Sequence, residues 1–101
     1  MEKTMTSLSN RVITIYNRKT SMRLAPAEWE AIETICKREN ISRKTLFELI
    51  DINRDERLGL TSSIRLFSII YYKNSISGKS KTGNASNEFI NPIFEAIKGI
   101  V

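Results

Sequence analysis

The chain of 101 residues contains no histidine, a single cysteine and only two prolines. Without histidine there is no Ser-His-Asp or Cys-His nucleophile pair and no imidazole for a metal site. Cys36, being alone, forms no internal disulfide and no thiolate zinc site. No stretch approaches the ~18 consecutive apolar residues of a membrane span, and Met1 to Asn10 lacks the apolar core of a secretion signal. A hydrophobic fraction of 41% is ordinary for a globular protein and argues against wholesale disorder. These absences lead us to expect a reduced, cytoplasmic protein with no metal, cofactor, membrane association or enzymatic activity.

What the sequence does have is basic charge, unevenly placed. The net charge is +5. Residues 1–24 carry Lys3, Arg11, Arg18, Lys19 and Arg23 against Glu2, a net of +4, whereas residues 25–60 are net −2 and residues 61–101 net +3. A basic front of this kind attracts phosphate polyanions.

Hydrophobic spacing divides the chain into elements. Met1 to Asn10 is polar and is expected to be a flexible arm, and the β-branched run Val12–Tyr16 predicts a strand. Asn17-Arg18 is the expected turn. In the following Lys19–Leu24, Met22 and Leu24 share one face of an extended chain, while Lys19, Ser21 and Arg23 share the other. Pro26 suits a first helical position, and Trp29, Ile32, Ile35 and Cys36 recur at helical spacing, predicting a helix over 26–39 that Asn40 ends. Ser42 is a natural N-cap for a helix over 43–52 with Leu46, Leu49 and Ile50 on its apolar stripe. Thr61 or Ser62 is placed to cap a third helix. A Ser, Gly, Lys and Asn-rich linker is expected over 74–88, and the apolar positions Phe89, Ile90, Ile93, Phe94 and Ile97 suggest an amphipathic C-terminal segment over 89–101.

Familiar site motifs fail on inspection. Gly78-Lys79-Ser80 resembles the end of a phosphate-binding loop, but Lys73 stands where its first glycine is needed. Asp51, Asp55 and Glu56 lack the ligand spacing of a calcium loop. Cys36 and Trp29 fall on an apolar stripe and are most simply core.

A short strand leaves backbone groups unpaired, and two short helices bury little by themselves. A symmetric dimer relieves both defects. Two copies of Lys19–Leu24 would pair antiparallel, burying Met22 and Leu24 against Trp29, Ile32, Leu46 and Ile50 of both chains, and would present Lys19, Ser21 and Arg23 twice on the outer face.

The pattern Lys19-Thr-Ser-Met-Arg-Leu24, Pro26, Trp29 and the turn Glu39-Asn-Ile-Ser42 resembles the ribbon-helix-helix family of bacterial DNA-binding proteins. With Val12–Tyr16, Ile50-Asp51 and Leu60–Phe67 the likeness extends from about 11 to 73, to a subgroup with an extra N-terminal strand and a third helix. Asn40 and Ala25 depart from the usual glycine and capping residue.

The resemblance implies an α+β, mainly α fold whose β-ribbon is shared by the two chains of an intertwined homodimer. It further implies a transcriptional repressor that reads double-stranded DNA through the major groove. Lys19, Ser21 and Arg23 would then contact bases, and Arg11, Arg18, Ser42, Arg43 and Lys44 phosphates. The competing expectation is an antitoxin-like module whose segment 89–101 folds on a protein partner. The alternative is that this segment packs on its own dimer.

Overall fold

The computed structural model describes residues 8–77 and 91–101. Residues 1–7 and 78–90 lie outside the described residues, and with them most of the expected arm and linker and, from the expected tail, Phe89 and Ile90.

The chain opens with a hairpin. Strand β1 (Ser9–Ile15) runs antiparallel to β2 (Arg18–Leu24), with Ile15 opposite Arg18 and Ser9 opposite Leu24. Both turn residues, Tyr16 (φ 49°) and Asn17 (φ 66°), lie in the left-handed region, which lets a two-residue turn follow the twist of its strands. Asparagine tolerates that region and tyrosine does so poorly. Glu48 holds Tyr16 there: the Tyr16 amide donates to its carboxylate at 2.9 Å, and the Tyr16 hydroxyl donates to its carbonyl at 3.1 Å. The turn thus falls one residue earlier than expected, and Asn10, expected in a flexible arm, is a strand residue.

One edge of β2 is therefore satisfied within the chain, so any need for a second copy falls on its other edge alone. A two-residue connection closes this pairing at little entropic cost.

Three helices follow as the spacing predicts, the first with the expected ends and the second one residue longer. Helix α1 (Pro26–Glu39) starts at proline. Ala25 offers no capping side chain, and Glu28 instead accepts the Ala25 amide at 2.8 Å. Asn40, at φ 54°, ends the helix in the left-handed conformation. Helix α2 (Arg43–Asn53) is capped by Ser42, whose hydroxyl accepts the Thr45 amide at 3.1 Å. Helix α3 (Leu60–Ser77) starts ahead of Thr61 and runs on into the expected linker. The Ser75 and Ser77 hydroxyls donate to the Tyr71 and Asn74 carbonyls, each at 3.1 Å, so these serines turn inward on the helix instead of breaking it.

The core is a single cluster. Ile13 and Ile15 of β1, Met22 and Leu24 of β2, Trp29, Ile32 and Ile35 of α1, and Leu46, Phe47 and Ile50 of α2 are all buried. From α3 the cluster takes Ile64, Phe67 and Tyr71. The six residues expected to form a dimer core, Met22, Leu24, Trp29, Ile32, Leu46 and Ile50, are thus already covered within one chain. The Tyr71 hydroxyl donates to the Glu39 carboxylate. Burial, reinforced by that acceptor, pushes the Tyr71 phenol far above its ordinary range.

The short helix α4 (Pro92–Ile97) begins the described part of the tail. Asn91 caps it, accepting the Ile93 amide at 2.9 Å. Ile93, Ala96, Ile97 and Ile100 are buried in the same core, and the Asp55 amide donates to the Ile100 carbonyl at 3.0 Å. Ile93 and Ile97 are thus covered by their own chain. Phe94 alone among the described tail candidates faces solvent, at 51% exposure.

Candidate nucleic-acid interface

Register, not sequence proximity, assembles the outer face of the hairpin. Asn10 pairs with Arg23, Val12 with Ser21 and Thr14 with Lys19. Residues directly opposite in an antiparallel pair share a face, and all six of these side chains are exposed. The opposite face carries Ile13, Ile15, Met22 and Leu24 and packs on the helices. The expected trio of Lys19, Ser21 and Arg23 is thus brought together, and β1 adds Asn10, Val12 and Thr14, which sequence reasoning missed. The missed signal was the alternation Asn10-Arg11-Val12-Ile13-Thr14, which is in phase with β2 once a two-residue turn is recognised. The face holds two cations and no acid.

Contacts from distant positions hold this face in place. Arg65 of α3 donates from Nε to Glu28 at 3.0 Å and from a terminal nitrogen to the Arg23 carbonyl at 3.4 Å. The end of β2 is thereby fixed while the Arg23 side chain stays on the outer face. Glu48 joins the Tyr16 turn to an ion pair with Lys44 at 3.4 Å. The contacts of Arg65 with the Arg23 carbonyl and of Glu48 with Tyr16 carry no local signal, since they span 42 and 32 residues.

The expected phosphate contacts fare unevenly. Arg11 alternates onto the core side of β1, opposite Met22. There its guanidinium lies 4.5 Å from the Trp29 ring centroid and pairs with Glu33 at 3.3 Å, so it points away from Lys19 and Arg23. Arg18 is exposed at the turn end of β2, in phase with Met22. Ser42, Arg43 and Lys44 do cluster at the start of α2. Helix geometry leaves the Arg43 and Lys44 amides without intrahelical acceptors. This terminus borders the hairpin, because Val12, Ile13 and Thr14 line a depression of about 290 Å³ together with Arg43, Lys44 and Phe47. The Arg43 guanidinium also lies 5.6 Å from the Trp29 ring centroid.

A hairpin followed by paired helices, with a basic outer strand face, is a recognisable plan. A family model described as Ribbon-helix-helix domain matches residues 8–72. The chain belongs to the ribbon-helix-helix family. No curated protein and no solved structure gives a match. Ribbon-helix-helix domains are generally DNA-binding regulatory modules without enzymatic activity, and typically bind DNA as dimers. The matched span covers the hairpin and α1 to α3 almost entire, and α4 lies beyond it. Among the described residues of this ribbon-helix-helix chain, no cluster of His, Cys, Asp or Glu side chains is arranged to hold a metal, and no helix is long and apolar enough to cross a membrane.

Proposed function

We propose that this ribbon-helix-helix protein is a cytoplasmic, sequence-specific DNA-binding homodimer that represses transcription by placing β2 in the major groove. The observation that carries this reading is the acid-free outer face on which Lys19, Ser21 and Arg23 stand side by side. Arg23 suits a bidentate pair with guanine, Lys19 a less directional contact, and Ser21 either base edge. The amides and cations at the start of α2 suit flanking phosphates. Arg23→Ala is expected to weaken operator binding by about 1–3 kcal/mol and to relax preference at one base pair of each half-site. Unchanged preference at every base would sink the model of a ribbon that reads sequence.

Two features support the dimer. The edge of β2 away from β1 has no strand partner among the described residues, and pairing it with a second β2 would form a four-stranded sheet centred on the Lys19–Arg23 rows. A strand edge alone buries far less than the roughly 800 Å² per partner of a stable interface. Next to Leu24, however, an apolar groove of about 590 Å³ runs between α1 and α3. Its floor includes Ala27, Ala31 and Ile32, and α3 raises Ile69 (63% exposed) and Ile76 (88% exposed) beside it. A ridge next to a trough on one face is the self-complementary shape that a two-fold interface needs. Ile69→Asp is therefore expected to shift the protein from dimer to monomer in sedimentation equilibrium and to weaken DNA binding with it. A wild-type protein that sediments as a monomer at all concentrations would rule the dimer out.

A further inference from the structure

The six side chains of the outer hairpin face include five with hydrogen-bonding groups and one without, Val12. Val12 sits at the centre of β1, is 61% exposed, and stands directly across from Ser21 between the Asn10–Arg23 and Thr14–Lys19 pairs. A strand position on a wet face is served equally well by threonine, as at Thr14, without leaving apolar surface in water. We infer that Val12 is a specificity residue that recognises the C5-methyl group of a thymine. This rests on the proposal that the hairpin reads DNA, and adds to it a residue of the first strand.

The chemistry and the placement agree. The thymine methyl is the apolar group that base edges present in the major groove, and apolar side chains are what contact it. With the two β2 strands side by side about the groove axis, β1 lies outboard by one and a half strand spacings, about 7 Å, at the groove wall. The C5-methyl is on the backbone side of the thymine edge and so projects near that wall. Val12 also shares its depression with Arg43 and Lys44, the side chains placed to hold the neighbouring phosphates. Apolar and phosphate contacts would then fall on one edge of the same groove.

Substituting deoxyuridine for thymine deletes this methyl and nothing else. A binding site is first selected from a random DNA pool at fixed salt. Each thymine in it is then replaced in turn by deoxyuridine, and affinities are measured for the wild type and for Val12→Ser. At one thymine per half-site the wild type is expected to lose about fourfold in affinity, the worth of one methyl-sized apolar contact. Val12→Ser, with its melting temperature close to wild type because the side chain is exposed, is expected to bind the two sites equally. A wild type indifferent to every replacement, or a Val12→Ser variant that still prefers thymine at the same position, overturns the inference and leaves the DNA-reading proposal standing. A pool selection that yields no sequence preference overturns the parent reading, and this one falls with it.

Discussion

Trp29→Ala is expected to lower the stability of the domain by about 3–5 kcal/mol, the usual cost of truncating a fully buried large aromatic side chain. Trp29 is 1% exposed and ties together three elements. It packs from α1 into the core, its indole N–H donates to the Ser9 carbonyl of β1 at 3.0 Å, and its ring carries the guanidinium of Arg11 and, further off, that of Arg43 from α2. Small domains hold only about 5–15 kcal/mol in total, so the loss should lower the melting temperature by well over roughly 10 °C. Trp29→Phe separates the contributions. It keeps most of the apolar volume and removes the N–H, so a cost of about 1 kcal/mol is expected for the bond to Ser9. Thermal melts followed by circular dichroism measure both. If Trp29→Ala melted within a few degrees of the wild type, the single-chain core described above would be wrong.

The second large effect concerns the C-terminal segment. Ile97→Ala is expected to cost about 2 kcal/mol or more, the lower end of the range for a buried isoleucine. The lower end applies because α4 has six residues and can detach, which caps the loss at the free energy of undocking the tail. Once it detaches, the flank of α3 that Ile93, Ala96, Ile97 and Ile100 cover would face water, so aggregation on heating should increase. Hydrogen exchange gives a second readout, with the Asp55 amide, bonded to the Ile100 carbonyl, losing protection ahead of α1. Wild-type stability and protection in Ile97→Ala would show an undocked tail, and would restore the reading in which residues 89–101 serve a protein partner.

Local rules made much of this architecture legible. Pro26, the Trp29-Ile32-Ile35-Cys36 stripe and Asn40 set α1, and Ser42 set the start of α2, because helix periodicity, a proline without an N–H and capping chemistry are all decided within a few residues. The period of two in Lys19–Leu24 put Lys19, Ser21 and Arg23 on one face before any partner strand was known. The same local rules failed where composition misled. Asn74 to Ser77 looks like linker because serine and asparagine favour turns, yet it remains helical in α3, where two serine hydroxyls bond back to helix carbonyls. Tyr16 looks like strand because it is aromatic, yet it forms half of the turn, held there by Glu48 from another element.

By itself, then, the sequence determined where α1 and α2 run and which strand face is basic, since each depends on residue type and short-range spacing. Only the tertiary structure decided what pairs with what. Strand register joined Asn10, Val12 and Thr14 to Lys19, Ser21 and Arg23. Alternation and Trp29 turned Arg11 to the other side of the sheet, and docking on α3 buried a tail whose apolar residues had suggested a free binding segment. Such pairings join residues that are not neighbours in the sequence, and their energy comes from surfaces that exist only once the chain has closed on itself.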